Sequence, residues 1–227
     1  MPGWRAADPP LHNTLPMQTD HSVEDYGWTT GEPPHSCDYL TPVVLRVLQE
    51  LGARRVLDLG AGNGSLCGRL AAAGHDAVGV EYDQHGVDIA RRAFPSIPFY
   101  RYAVEDDPAL LLEQQSAFDT VVSTEVIEHL YSPHRLVRYA HAMLQEGGHL
   151  VITTPYHGYL KNLALSVMGH WDRHHTSLWH GGHIKFFSRA SLESLLRENG
   201  FDVTRFTGIG RLPQLWKSML VVARKRA

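Results

Sequence analysis

The chain is short of the features that would place it outside a reducing, watery compartment. Only two of its 227 residues are cysteine, Cys37 and Cys67. They lack CxxC spacing and are too few for a disulfide framework. No run approaches the roughly 18 consecutive apolar residues of a membrane-spanning helix. The N-terminal stretch carries Pro2, Pro9, Pro10 and Pro16 and no apolar core, so it does not read as a secretory leader. These absences make a cytoplasmic protein without a transmembrane segment the expectation. A basic surplus is also missing: 21 Lys and Arg stand against 24 Asp and Glu, a net charge of −3. Binding to duplex nucleic acid leans on excess positive charge, so nucleic acid is not the expected partner. No internal repeat or low-complexity tract breaks the chain, and its length suits one domain with a full core.

What the chain does have is alternation. Residues 1–37 form a polar, proline-containing extension, loosely packed over about 1–22. Val44, Leu45, Leu48 and Leu51 then recur at helical spacing, with Thr41-Pro42 as the helix start and Gly52 as its stop. Short apolar strands follow at 55–59, 77–80, 99–104, 118–123 and 149–153. Helices lie between or after them at 66–73, 84–93, 108–115, 134–144 and 188–199, with Gly147-Gly148 breaking the fourth of these. Parallel strands need crossover helices, so this order predicts an α/β domain over 38–227: a Rossmann-like, mostly parallel sheet with helices on both faces. The closing strands, 201–206 and 218–223, are joined without a helix and read as an antiparallel pair.

The first strand runs into Asp58-Leu-Gly-Ala-Gly-Asn-Gly64 and then into a helix. Glycines let the backbone turn sharply and lie against a ligand at the carboxyl end of the strand. Twenty-three positions after Asp58, the second strand ends in Glu81, an acid placed to accept both ribose hydroxyls of a nucleoside. A pyrophosphate is the wrong ligand here, because Asp58 would repel it. A cationic nucleoside such as S-adenosylmethionine, with its sulfonium and ammonium, suits the acid. Taken alone, the motif could be a glycine-rich turn without chemistry; the ordered strand, loop, helix, strand and acid favour the nucleoside.

Val56-Leu-Asp-Leu-Gly-Ala-Gly-Asn-Gly64 resembles the first motif of class I S-adenosylmethionine-dependent methyltransferases. Phe118 to Leu130 and Leu144 to Pro155 resemble their later motifs, and the closest flavour is the ubiquinone-biosynthesis O-methyltransferase family. The resemblance covers about residues 38–227. It implies a seven-stranded sheet with an antiparallel last strand. It also implies that Gly60, Ala61, Gly62, Asn63 and Gly64 pack on the cofactor's amino-acid moiety and that Glu81 holds the ribose. Tyr82 would lie on the adenine, Ala103, Val104 and Glu105 would edge it, and Thr124 and Glu125 would close the pocket floor. Relatives often carry Asp at or beside the Glu105 position, which weakens that assignment.

Glu125, Glu128 and His129 follow the fourth strand at i, i+3 and i+4, one face of a helical turn. Two carboxylates and an imidazole on one face make a candidate divalent-cation site, Mg²⁺ being the candidate ion. By resemblance to ubiquinone-pathway and small-RNA 2′-O-methyltransferases, His183 in Trp179-His-Gly-Gly-His183 would supply a fourth ligand. A metal would lower the pKa of an acceptor hydroxyl; alternatively His129 acts as general base, supported by Glu128. The plain alternative leaves Glu128 only to orient His129 or cap a turn.

Residues 155–187 exceed an ordinary connection and read as a lid or substrate insert. They hold His157, His170, His174, His175, His180 and His183 among many aromatics. A helix over 159–168 would turn Leu160, Leu163, Ala164, Val167 and Met168 to its apolar side. That side would wall a lipophilic acceptor, pack on the domain amid solvated histidines, or touch a membrane peripherally. Tyr26, Trp28 and His35 are expected to cover the cofactor or to pack peripherally. The leading expectation is methyl transfer to a hydroxyl of a small aromatic or quinone-like molecule. An RNA 2′-O-methyltransferase, an N- or C-methyltransferase and a non-catalytic cofactor-binding module stand as alternatives.

Overall fold

The computed structural model describes residues 35–175 and 182–226. Tyr26, Trp28, Trp179 and His180 lie outside the described residues. The first helix, α1 (His35–Leu51), starts a turn and a half before the expected Thr41. Asp38 sits in its first turn, and Pro42 lies inside the helix. The proline removes one bond, to the carbonyl four residues back, without ending so apolar a helix.

Five parallel strands follow: β1 (Arg55–Leu59), β2 (Asp76–Glu81), β3 (Phe99–Arg101), β4 (Phe118–Thr124) and β5 (Leu144–Pro155). Between them come α2 (Ser65–Ala72), α3 (Gln84–Ala93), the short α4 (Ala109–Leu112), a single 3₁₀ turn (Ile127–His129) and α5 (Pro133–Met143). Beyond β5 lie α6 (Tyr159–Val167), α7 (Trp171–His175), α8 (Arg189–Glu198), β6 (Phe201–Ile209) and β7 (Ser218–Lys225). The sheet order is β3-β2-β1-β4-β5-β7-β6. β7 runs antiparallel to both of its neighbours, and the other pairs are parallel. The predicted Rossmann-like sheet with an antiparallel last strand is therefore the fold. Among the element boundaries that differ from expectation, two have a visible cause. β3 stops at Arg101, because Asp106 Oδ2 accepts the Ala103 amide at 2.8 Å and turns the chain. β5 begins at Leu144, so Gly147-Gly148 lies within the strand, at an irregularity in its register with β4.

Each sheet face carries its own apolar layer. Leu40, Val44 and Leu48 of α1 join Leu66 and Leu70 of α2 and Val87 of α3 over Val56, Val122 and Val151. On the other face Leu136 and Ala140 of α5 and Leu192 and Leu196 of α8 cover Leu57, Val121 and Leu150. Strands so covered on both faces read as continuous apolar runs. Each fully buried leucine contributes about 1.5–3 kcal/mol relative to exposure. This double layer fixes the carboxyl ends of β1, β2, β4 and β5, where the functional loops emerge.

Candidate active site

The glycine loop is built by backbone bonds from the neighbouring strand. The amides of Gly60 and Ala61 both donate to the Val80 carbonyl, at 2.8 and 2.9 Å. Gly60, Gly62 and Gly64 all have positive φ, at 89°, 54° and 79°, a region open to glycine at no steric cost. Gly60 is also needed for space, since a Cβ there would lie 2.4 Å from Val126 Cγ2. The loop thus packs directly on the chain that leads to Glu128 and His129. Asn63 is buried, and its Oδ1 accepts the Ser65 amide at 3.3 Å.

Two acids flank this loop. The Glu81 carboxylate accepts the Gly62 amide at 2.7 Å and the Asp83 amide at 2.9 Å. These bonds fix its orientation at the tip of β2 and leave further lone pairs. Burial raises its pKa, and the two amides pull it back. Asp58 is fully buried; its Oδ2 accepts the Cys67 thiol at 3.4 Å, and its Oδ1 has no partner among the described residues. Burial pushes its carboxyl up to about 7. An unmatched buried carboxylate oxygen below a glycine cradle, beside an oriented acid, fits the cationic amino-acid end and the ribose of S-adenosylmethionine. Tyr82 is exposed just past Glu81, with its ring available to a base. Val104 and Glu105 sit farther along the same edge, where they line a cavity of about 270 Å³ with His134 and Arg135.

The turn after β4 departs from the expected helical face. Glu125 has φ 54°, and only Ile127–His129 forms a 3₁₀ turn. The Glu125 carboxylate points to the strands, accepting from Thr153 Oγ1 at 3.0 Å and Ser218 Oγ at 3.2 Å. Tyr39 of α1 extends this chain through Ser218, at 3.2 Å. Burial pushes the Glu125 carboxyl up to about 7. Glu125 is therefore held against β5 and β7 and is not one of the grouped metal-type ligands. Its left-handed backbone removes it from the face shared by Glu128 and His129.

The group that does assemble is Glu128, His129 and His183, whose ligand atoms lie within 4.8 Å of one another. Glu128 is fully buried, and its Oε2 accepts from Thr154 Oγ1 at 2.9 Å. Its Oε1, without a hydrogen-bond partner among the described residues, stands 4.0 Å from Nε2 of both His129 and His183. Burial, then the nearby Glu125, raises the Glu128 carboxyl well above its usual range. His129 Nδ1 lies 3.3 Å from the Gly182 carbonyl. A carbonyl only accepts, so this bond puts the proton on Nδ1 and the lone pair on Nε2. The amides of Ile184 and Lys185 both donate to the Glu128 carbonyl at 2.9 Å, tying the end of the insert over the turn. Burial brings the His183 imidazole down to about 4.

The apolar side of α6 is not packed on the domain. On α6 the predicted apolar side faces outward: Leu160, Leu163, Val167 and Met168 are exposed, while Lys161 and Leu165 are buried. His174 and His175 are not solvated but packed. His175 stacks on His157 at 5.6 Å and meets Phe186 edge-on at 4.8 Å, and His174 lies 4.9 Å from His175. Sequence reasoning missed Tyr39, Thr153, Thr154, Lys161 and Ser218. Only the Thr153-Thr154 pair carried a local signal, as polar residues ending an apolar strand at the ligand-binding edge.

A family model described as a methyltransferase domain matches residues 36–205. The chain belongs to this methyltransferase family. Curated relatives include ubiquinone biosynthesis O-methyltransferases. That of Bradyrhizobium diazoefficiens is 29% identical over 174 residues, 73% of this chain and 65% of the relative. That of Xanthomonas euvesicatoria is 31% identical over 131 residues, 56% and 55% of the two chains. The chain thus spans between about half and two thirds of the length of these relatives. Solved structures share the fold. Magnesium protoporphyrin IX methyltransferase from Synechocystis, with bound SAH, superposes with a TM-score of 0.62 at 19% identity, covering 83% of this chain and 82% of that one. An S-adenosylmethionine-dependent methyltransferase from Mesorhizobium loti gives a TM-score of 0.60 at 20% identity, covering 81% and 96%.

Proposed function

We propose that this methyltransferase-family chain uses S-adenosylmethionine to methylate a hydroxyl of a small aromatic or quinone-like acceptor, with His129 as the base. The observation that carries the reading is the packing of Val126 on Gly60. Val126 precedes Glu128 by two residues and His129 by three, which supports a base close to the glycine loop. S-adenosylmethionine supplies an electrophilic methyl carbon on its sulfonium. The chain's residues supply the rest. Asp58, Gly60, Gly62 and Glu81 hold the donor. His129 Nε2 takes the acceptor's proton, and Glu128 stabilises the imidazolium that results. Thr154 and the Ile184 and Lys185 amides hold Glu128 in place. The names of the curated relatives support O-methylation.

A divalent ion on Glu128, His129 and His183 is a second reading, favoured by their grouping. Bound there, an ion would acidify the acceptor hydroxyl. Two imidazoles and one carboxylate suit zinc or a similar imidazole-binding ion better than Mg²⁺. Among the described residues no helix is long and apolar enough to cross a membrane. The outward apolar side of α6 supports peripheral contact with a membrane that holds a lipophilic acceptor. The two free cysteines suit a cytoplasmic location.

The test is calorimetric titration with S-adenosylmethionine and with NAD, followed by methyl transfer from labelled donor to catechols, with and without chelation. Binding of the donor and label in the catechol ether are expected. Binding of NAD instead would refute the proposal, and loss of turnover on chelation alone would move the metal to the front.

A further inference from the structure

Lys161 is the only lysine among the buried residues, 3% exposed on the inner side of α6. An ammonium carries three donors and no acceptor. The one hydrogen bond found for Lys161 is long, from Nζ to the Lys217 carbonyl at 3.4 Å. Among the described residues no carboxylate oxygen comes within 4.0 Å of it, so it makes no ion pair there. Glu125, whose charge Lys161 feels beyond ion-pair distance, is held by the hydroxyls of Thr153 and Ser218.

Burying a cation without a partner is costly, and chains usually avoid it or supply an anion. α6 had an easy way to avoid it. Leu160, Leu163 and Val167 lie outward instead, and the one ammonium is turned in beside Leu165. Lys161 lies on the acceptor side. Its one acceptor, the Lys217 carbonyl, precedes Ser218, which bonds Glu125; the same carbonyl takes the Tyr156 amide at 3.1 Å. Around it stand more potential positive charges than negative ones. Burial, then the charge of Arg211, brings the Lys161 amine down to about 8 against the pull of Glu125. His157 and His174 feel its charge as well.

We infer that Lys161 is a specificity residue that receives an anionic substituent of the acceptor, a carboxylate on the aromatic ring, so that the preferred acceptor is a hydroxylated aromatic acid rather than a neutral phenol. The inference rests on the proposed function for the site, though not on its chemistry of transfer. The charge of Lys161 reaches His183, whose ring meets that of the proposed base His129 at 4.9 Å. The packed rings of His157, His175 and Phe186 form an apolar wall in the same insert.

The experiment compares the full chain with Lys161→Met and Lys161→Arg, each saturated with S-adenosylhomocysteine. The probes are 3,4-dihydroxybenzoate and 4-methylcatechol, titrated without turnover. A charge-assisted bond predicts that the wild type binds the carboxylated probe on the order of 10- to 100-fold more tightly than the neutral one. Lys161→Met should erase that ratio, and Lys161→Arg should keep most of it. Methionine fills a buried aliphatic position, and thermal unfolding of the variant checks that it folds. If it does not fold, the Arg variant and the wild-type ratio still decide. Equal binding of the two probes by the wild type would overturn the inference. So would an unchanged ratio in Lys161→Met, or an effect confined to cofactor affinity, which would assign Lys161 to the donor's carboxylate. Lys161-dependent binding of the acid without any methyl transfer would leave the inference standing and remove the proposed reaction instead.

Discussion

On the donor side of the cleft, the groups that matter are positioned by main chain. The Gly60 and Ala61 amides hang on β2, and Glu81 is clamped by the Gly62 and Asp83 amides. On the acceptor side they are positioned by side chains from distant segments: Glu125 with Thr153 and Ser218, Glu128 with Thr154, His129 beside Gly182 and His183. The first arrangement tolerates almost any surrounding sequence provided three glycines and an acid are kept. The second changes with each residue that lines it. The contrast suits an enzyme family that keeps one donor and varies its acceptors.

Several substitutions would break or sharpen this contrast. The largest effect is expected at His129. His129→Ala should lower turnover by about 10²- to 10⁴-fold, as loss of a general base does, while titration still shows normal S-adenosylmethionine affinity. A parallel loss of donor binding would merge the two halves into one unit. Next comes the frame under both. Leu57→Ala, at a fully buried position, should cost about 2–5 kcal/mol of unfolding free energy. Leu163→Ala on the outer side of α6 should stay within about 0.5 kcal/mol in the same denaturant titration. Glu81→Ala should weaken donor binding by about 10- to 100-fold, the size expected for charge-assisted bonds. The acceptor's KM at saturating donor should move little.

A pH dependence is expected at Asp58. Its folded carboxyl holds a proton up to about 7, whereas the unfolded chain releases it near 3.8. Its contribution to stability therefore declines as pH rises from about 4 to 7 and is level above. Donor binding runs the other way, because the donor's ammonium favours the ionised acid. Affinity should rise by at most about tenfold per pH unit below 7 and level off above it. Calorimetry at pH 6 and pH 8, repeated with Asp58→Asn, checks the sign.

The same contrast explains what the sequence made legible. Strand order and the glycine loop could be read because periodicity, glycine placement and an acid at fixed spacing are local signals. Glu128 and His129 could be read from their adjacency, but Glu125 was misassigned because nothing in Thr124-Glu-Val126 announces a left-handed residue. For α6, apolar spacing identified a face but not what that face meets. Lys161, Ser218 and Tyr39 were missed for a different reason. Tyr39 and Ser218 are 179 positions apart and meet only because β7 returns beside β5.

That return has a consequence for how the molecule is made. β7 is the last strand in sequence, yet it occupies an interior place, with seven paired positions on β5 and eight on β6. Until Ser218–Lys225 leaves the ribosome, the open edges of β5 and β6 expose Val151, Ile152 and Phe206 to any other extended chain. The sheet is completed in one late, long-range step, the kind that slows folding. A nascent chain stalled before that strand would display a sticky edge for chaperones and proteases to recognise. The eight-residue strand Ser218–Lys225 is thus the piece that closes the seam between β5 and β6.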